Sequence, residues 1–278
     1  MTAEAKLPVV ATALKSFDDG FRAIGAMPLV AGIALACLMA MSVVSFFAVM
    51  SVLPPVGSPR FAAALLSLPV KTIIAVLGIV QSFLIAPAAI AVHRWVLLRQ
   101  VTHGYPINPS NERYLRFVGF TALVGLLWNV PSVVDAVVAL AFDNDETANR
   151  VMVLIDMAAY IVILIVVLRR VVLFPAVAVD APHADWRSAR LTVAGHSWRV
   201  FFTFLCVTVP LVLLVVPLHY LNLWASMMSW TGQIIFWLGS SIVQLIFLYV
   251  FTATASLIYR ALDPALGQPA RPVPTMPR

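Results

Sequence analysis

Six stretches of this chain run for more than twenty residues with few or no charges: 28–53, 70–93, 116–142, 151–179, 200–223 and 234–259. About 20 apolar residues in a helix cover the roughly 30 Å of a bilayer's hydrocarbon layer. The expected fold is therefore all-α and polytopic, with six transmembrane helices in one domain over residues 1–262. Composition agrees: 62% of the residues are hydrophobic and 11% charged, against roughly a quarter charged in a soluble domain. The first run far exceeds the 7–15 apolar residues of a signal-peptide core, so it reads as a retained first span.

The formal net charge of +6 does not indicate nucleic acid, because the basic residues sit at the ends of the apolar runs instead of in one patch. Fifteen of the eighteen fall on one side: Lys6, Lys15 and Arg22, then Arg94, Arg99, Arg113 and Arg116, then Arg169, Arg170, Arg187, Arg190 and Arg199, then Arg260, Arg271 and Arg278. Arg60, Lys71 and Arg150 fall on the other. Lys/Arg bias in short loops sets orientation, which predicts cytoplasmic N- and C-termini in a bacterial inner membrane. Residues 144–149 and 225–229 are then expected outside.

The stretch 151–201 shows a unit that recurs: an apolar run, two arginines, a proline, an aspartate, a Trp/Arg-rich segment and a new apolar run. Residues 16–30, SFDDGFRAIGAMPLV, align without gaps to 110–124, SNERYLRFVGFTALV, and Pro87–His93 resembles Pro175–Asp180. Three copies of a surface helix plus a membrane hairpin account for this, as does chance likeness among apolar segments. Residues 9–24 form an amphipathic helix with Val10, Leu14, Phe17, Phe21 and Ile24 on one side. It can lie in the headgroup layer or pack on the bundle. Asn108-Pro109 offers a cap and first residue for the helix ahead of the third span. The proline-rich residues 263–278 cannot form a packed core and are expected to be disordered.

No enzyme motif is present: neither H-E-x-x-H, G-x-S-x-G, a Walker loop nor G-x-G-x-x-G. Cys37 and Cys206 lack neighbours at metal-ligand spacing and read as small buried hydrophobes. Gly232 and Gly239 suit close helix packing. No metal or cofactor is expected. Candidates come instead from ionisable residues inside spans, where charge is costly. Lys71, Asp135 and Asp156 share a depth near the outer ends of spans two, three and four. They form a possible intramembrane cluster, or three interfacial side chains reaching for headgroups. Arg169 and Arg170 lie about 15 Å up the fourth helix if it runs on to Val179. If the helix ends at Leu168, they are anchors. A guanidinium pair suits the phosphate of an anionic lipid. Gln81, Asn129, Gln233 and Gln244 add polar contacts in the bundle.

LRRVVLFPAVAVDAP, then WRSARLTVAGHSWRVF, with APAAIAVHRWVLL earlier, resembles a group of uncharacterised six-span bacterial inner-membrane proteins. It is similar also to the membrane domain attached to some glycerophosphodiester phosphodiesterases. The matching positions are Arg169 or Arg170, Pro175, Asp180, Trp186, Thr192, Gly195, Trp198 and Arg199. The resemblance implies a membrane domain and no phosphodiesterase activity, since that soluble domain's paired acidic metal ligands and histidines are not in the sequence. The expected function is a non-catalytic integral membrane protein, structural, partner-anchoring or envelope-related. The alternatives are a small transporter or channel subunit and an anionic-lipid binder. The bilayer is the partner implied; protein partners cannot be read from the sequence.

Overall fold

A computed structural model describes residues 7–55, 58, 64, 67–141, 146–182, 184–225 and 230–262. Those residues contain helices and no strand. In chain order the helices are α1 (Val9–Ala26), α2 (Pro28–Met50), α3 (Leu68–Leu98), α4 (Glu112–Ala141), α5 (Glu146–Leu168), α6 (Leu173–Ala178), α7 (Trp186–Val193), α8 (Ser197–Ala225) and α9 (Trp230–Leu262). Six segments are long and apolar enough to cross a bilayer: α2, α3, α4, α5 running on through α6, α8 and α9. The protein is an all-α polytopic membrane protein.

Prolines set the boundaries, and their surroundings decide whether they break a helix. Met27 leaves helical geometry (φ −132°, ψ 59°) and Pro28 opens α2 as its first residue, so α1 and α2 are separate helices. At the aligned place in the second unit stands Ala122, and α4 runs unbroken from Glu112. A separate surface helix thus precedes the first and third hairpins but is fused into the span of the second. The helix ahead of that span also starts later than Asn108-Pro109 suggests. The Asn108 side chain accepts from Ser110 N at 3.0 Å. The cap is Asn111, whose Oδ1 accepts from Arg113 N at 3.0 Å. Asn111 frees no earlier turn to be helical, so residues 108–110 form a turn.

The fourth span, Val153–Ala178, is interrupted within: α5 ends at Leu168 and α6 begins at Leu173. Proline removes one helical donor and crowds the carbonyl four residues back, which for Pro175 is Val171. The backbone yields in residues 169–172: Arg170 N turns to Val167 O at 3.0 Å and Leu173 N to Arg170 O at 2.9 Å. After this turn α6 resumes as one buried helical stretch.

The helix α1 packs on the bundle, one of the two readings of the amphipathic segment. Its small and polar face (Thr12, Ala13, Ser16, Asp19, Gly20, Ala23) is buried and packs on α8 and α9. Gly20 is needed there, since a Cβ would meet Val250 Cα at 3.1 Å. Val10, Leu14 and Phe21 point away from the protein. Most of the core lies at the end of the bundle that gathers Arg94, Arg99, Arg113 and Arg260, the basic end. There alanines such as Ala86, Ala88, Ala89 and Ala91 of α3 and Ala253 and Ala255 of α9 allow close approach.

Candidate functional site

At the basic end, α6 closes with Asp180 in left-handed geometry (φ 56°). Ala181 N bonds to Ala176 O at 2.9 Å and Asp180 N to Val177 O at 3.3 Å, the paired closure of a Schellman turn. Glycine is the low-strain residue at that position, and aspartate there costs about 1 kcal/mol. Its carboxylate offsets the cost. Arg113, in the first turn of α4, grips it as a fork, with Nε donating to Oδ1 at 2.5 Å and a second N–H to Oδ2. Arg94 of α3 stands 3.9 Å from Oδ2, donates to Ala178 O at 3.2 Å and to Gln100 Oε1 at 2.5 Å. One aspartate at the end of a six-residue helix thereby joins α3, α4 and α6.

The other non-glycine residue in left-handed geometry among the described residues is Arg99 (φ 58°), where α3 ends. It too is charged and paired. Its guanidinium lies over Trp95, 4.9 Å from the ring centroid, and 3.7 Å from Asp19 Oδ1 of α1. Asp19 is 2% exposed, and its Oδ2 is buried with no hydrogen bond among the described contacts. Arg260, at the end of α9, adds positive charge near Asp19 and donates to Val96 O. This second tie holds α1, α3 and α9.

At Pro87, inside the continuous helix α3, phenols reach the helix backbone. Pro87 cannot donate to Phe83 O, and Tyr114 OH does so at 2.5 Å. Tyr105 OH donates to the next carbonyl, Leu84 O, at 2.7 Å. Burial first, and then the nearby Cys37, Tyr249 and Tyr114, push the Tyr105 phenol upward from its ordinary value, so it remains a donor. His93 is buried with Nδ1 at 2.7 Å from Ser256 Oγ and joins α3 to α9.

The residues singled out from the sequence are placed as follows. Arg169 is exposed. Arg170 is half-buried, with its guanidinium 4.3 Å over the Trp186 ring and one N–H donating to Val166 O at 3.0 Å. That carbonyl is one the 169–172 turn leaves without its helical donor. The pair therefore sits in the turn between α5 and α6, within the span Val153–Ala178. Lys71 reaches across from α3 to Ser132 O of α4, and Ser132 Oγ lies 3.0 Å from Tyr160 OH of α5. Asp156, one turn before Tyr160, is half-buried on α5. The side chain of Asp135 lies outside the described residues, as do the acidic turn residues Asp143 and Asp145 and the proline-rich 263–278. Cys206 is exposed on α8 and not buried in the protein, since its side faces outward from the bundle.

The third unit shows what its motif does. Asp185 caps α7, accepting from Arg187 N at 2.9 Å and Ser188 N at 2.8 Å. Gly195 adopts φ 84° in the turn into α8, a conformation that favours glycine. Trp198 follows, 73% exposed. Arg190 and Arg169 each lie close enough to Arg170 to repel it, and Arg169, Arg187, Arg190, Leu191 and Trp198 are all exposed.

Asp19, His93, Arg94 and Tyr114 were not singled out as functional candidates from the sequence. Asp180 appeared only within the motif. One available signal was that Tyr105 and Tyr114 follow a span containing an internal proline. Comparison with known proteins gives no matching family model, no matching curated protein and no matching solved structure.

Proposed function

We propose that this integral membrane protein is a non-catalytic anchor of a bacterial inner membrane, with both termini cytoplasmic, whose basic end holds anionic lipid. The observation that carries the reading is that Arg169 and Arg190, both near Arg170, are exposed, as are Arg187, Leu191 and Trp198 in and just after α7. Three exposed cations and two exposed membrane-seeking side chains suit a surface of lipid phosphates, each such contact contributing about 1 kcal/mol. The ties at Asp180 and Asp19 support an anchoring role over a catalytic one, because they join helix ends and engage backbone carbonyls. A groove near the bundle's middle is lined by Gln244, but Arg169 and Asp156 are not among its lining residues, which weighs against an ion path through the charged candidates. Kinship with the six-span bacterial proteins that the Pro175–Asp180 motif resembles is part of the proposal.

Two measurements test it. In intact cells, with Cys37 and Cys206 replaced, an impermeant thiol reagent should not label Ser110→Cys; labelling there contradicts the orientation. In native mass spectrometry, phosphatidylglycerol retained by the wild-type chain should fall about thirtyfold in Arg169→Leu/Arg190→Leu, as expected for loss of about 2 kcal/mol. Unchanged retention contradicts the lipid rim.

A further inference from the structure

Midway along the bundle, α3 and α9 each carry a glutamine. Gln81 stands ten residues after Lys71 and thirteen before Arg94, or about 15 and 20 Å along the helix. Gln244 stands fourteen residues after Trp230 and sixteen before Arg260, about 21 and 24 Å along its own helix. Both therefore lie deep in the hydrocarbon layer. Gln81 Nε2 donates to Gln244 Oε1 at 3.3 Å. Two carboxamides carry four N–H donors between them, and this bond uses one. Among the described contacts neither amide makes another hydrogen bond. In hydrocarbon, where no water competes, such groups call for a partner.

The amides face a cavity of about 650 Å³ between α2, α3, α8 and α9. Along α9 it extends from Phe236 to Thr252, about 24 Å of helix. Phe247 and Phe251 wall it with rings stacked 5.5 Å apart. None of its lining residues is ionisable, and Gln244 is exposed on the bundle surface, so the cavity opens sideways toward the bilayer.

We propose that this groove binds a neutral, carbonyl-bearing lipid of the isoprenoid-quinone class, its ring carbonyls on the Gln81 and Gln244 amides and its chain along α9. Each property of the groove narrows the ligand. A charged group would be uncompensated there. A phospholipid headgroup lies too near the surface to reach the amides. A plain acyl chain fills the volume and leaves the N–H donors unpaired. A quinone supplies carbonyl acceptors, a flat ring for the phenylalanines and an apolar tail, and it travels within the hydrocarbon layer. The proposal does not depend on the anchoring role at the basic end.

The test uses the full chain in phosphatidylcholine nanodiscs, titrated with decylubiquinone and separately with decylbenzene, which has the chain and ring without the carbonyls. Saturable one-to-one binding of the quinone is expected, with decylbenzene about tenfold weaker, as loss of one or two hydrogen bonds implies. Gln81→Leu/Gln244→Leu should bind the quinone about as weakly as the wild type binds decylbenzene. Should that variant fail to fold, Gln81→Asn and Gln244→Asn shorten the reach while keeping the amide, and each should weaken quinone binding without lowering the melting temperature. Equal affinity for the two probes, or full quinone affinity in the variants, overturns the proposal. So does a Val215→Cys disulfide between two copies in the bilayer, with Cys37 and Cys206 replaced, that the quinone does not prevent, since the groove would then be an interface between chains.

Discussion

Along α8, the half near the basic end buries Val200, Thr203, Phe204, Val207 and Leu211, whereas residues 212–217 are exposed on every side. The other helices repeat the contrast. Buried positions of α2 run from Val30 to Met41, and beyond them Val44, Phe47 and Met50 are exposed. In α4, Tyr114 and Phe117 are buried, while Leu126, Trp128 and Val130 are exposed. Among the described residues the far half keeps thinner seams: Trp237 of α9 against Phe46 of α2, ring centroids 5.4 Å apart, Trp128 of α4 against Tyr160 of α5, buried Val70, and the Lys71, Ser132 and Tyr160 contacts. The basic end is held by protein contacts, and the far half is covered by lipid. The reason is chemical. Lipid tails are as apolar as leucine, so apolar side chains gain little by leaving them for one another. Close packing, hydrogen bonds to freed carbonyls and ion pairs are what distinguish protein from lipid, and these concentrate at one end.

The contrast implies unequal sensitivity to mutation. The largest loss is expected for Gly20→Leu, which pushes α1 off Val250 and overpacks the basic end by about 1–3 kcal/mol. Thermal unfolding in detergent should show it as the lowest melting temperature of this set. Tyr114→Phe should cost about 1–2 kcal/mol, because Phe83 O, already deprived of a donor by Pro87, is left unpaired. The same melting measurement checks it, and an unchanged midpoint would mean that another donor reaches that carbonyl. Tyr160→Phe, in the far half, should cost less than about 0.5 kcal/mol, since Ser132 can turn its hydroxyl to its own helix backbone. A loss as large as that of Tyr114→Phe would break the comparison.

The spans and the charge asymmetry were legible because they depend on long-range composition. So were the prolines that matter at Pro28 and Pro175. What the sequence did not reveal was their consequence. Whether a proline breaks a helix or only bends it depends on who takes the freed carbonyl. At Pro87, Tyr105 and Tyr114 arrive from a later loop and helix, and α3 continues. Near Pro175 the backbone turns, and Arg170 takes Val166 O. That is why the sequence alone leaves both mid-helix and helix-end placements of Arg169 and Arg170 open. In the sequence Asp19 falls, with Lys15, Asp18 and Arg22, off the face that Val10, Leu14, Phe17, Phe21 and Ile24 mark. It is buried because the partner-facing side of α1 is the one with small residues, and Arg99, eighty residues later in the chain, comes back to it. Hydropathy marks the large apolar side chains, and in this helix Val10, Leu14 and Phe21 face outward, whereas Phe17 and Ile24 pack on the core.

The account's central claim is that protein packing ends part-way along the bundle. Site-directed spin labels placed singly at each position from 200 to 217 of α8, in nanodiscs, report it through their accessibility to dissolved oxygen. The expected profile oscillates with helical period from 200 to 211, with minima at Val200, Thr203, Val207 and Leu211, and then becomes uniformly high from 212 to 217. Minima that continue at helical spacing to Pro217 would show the far half packed against protein and contradict the account.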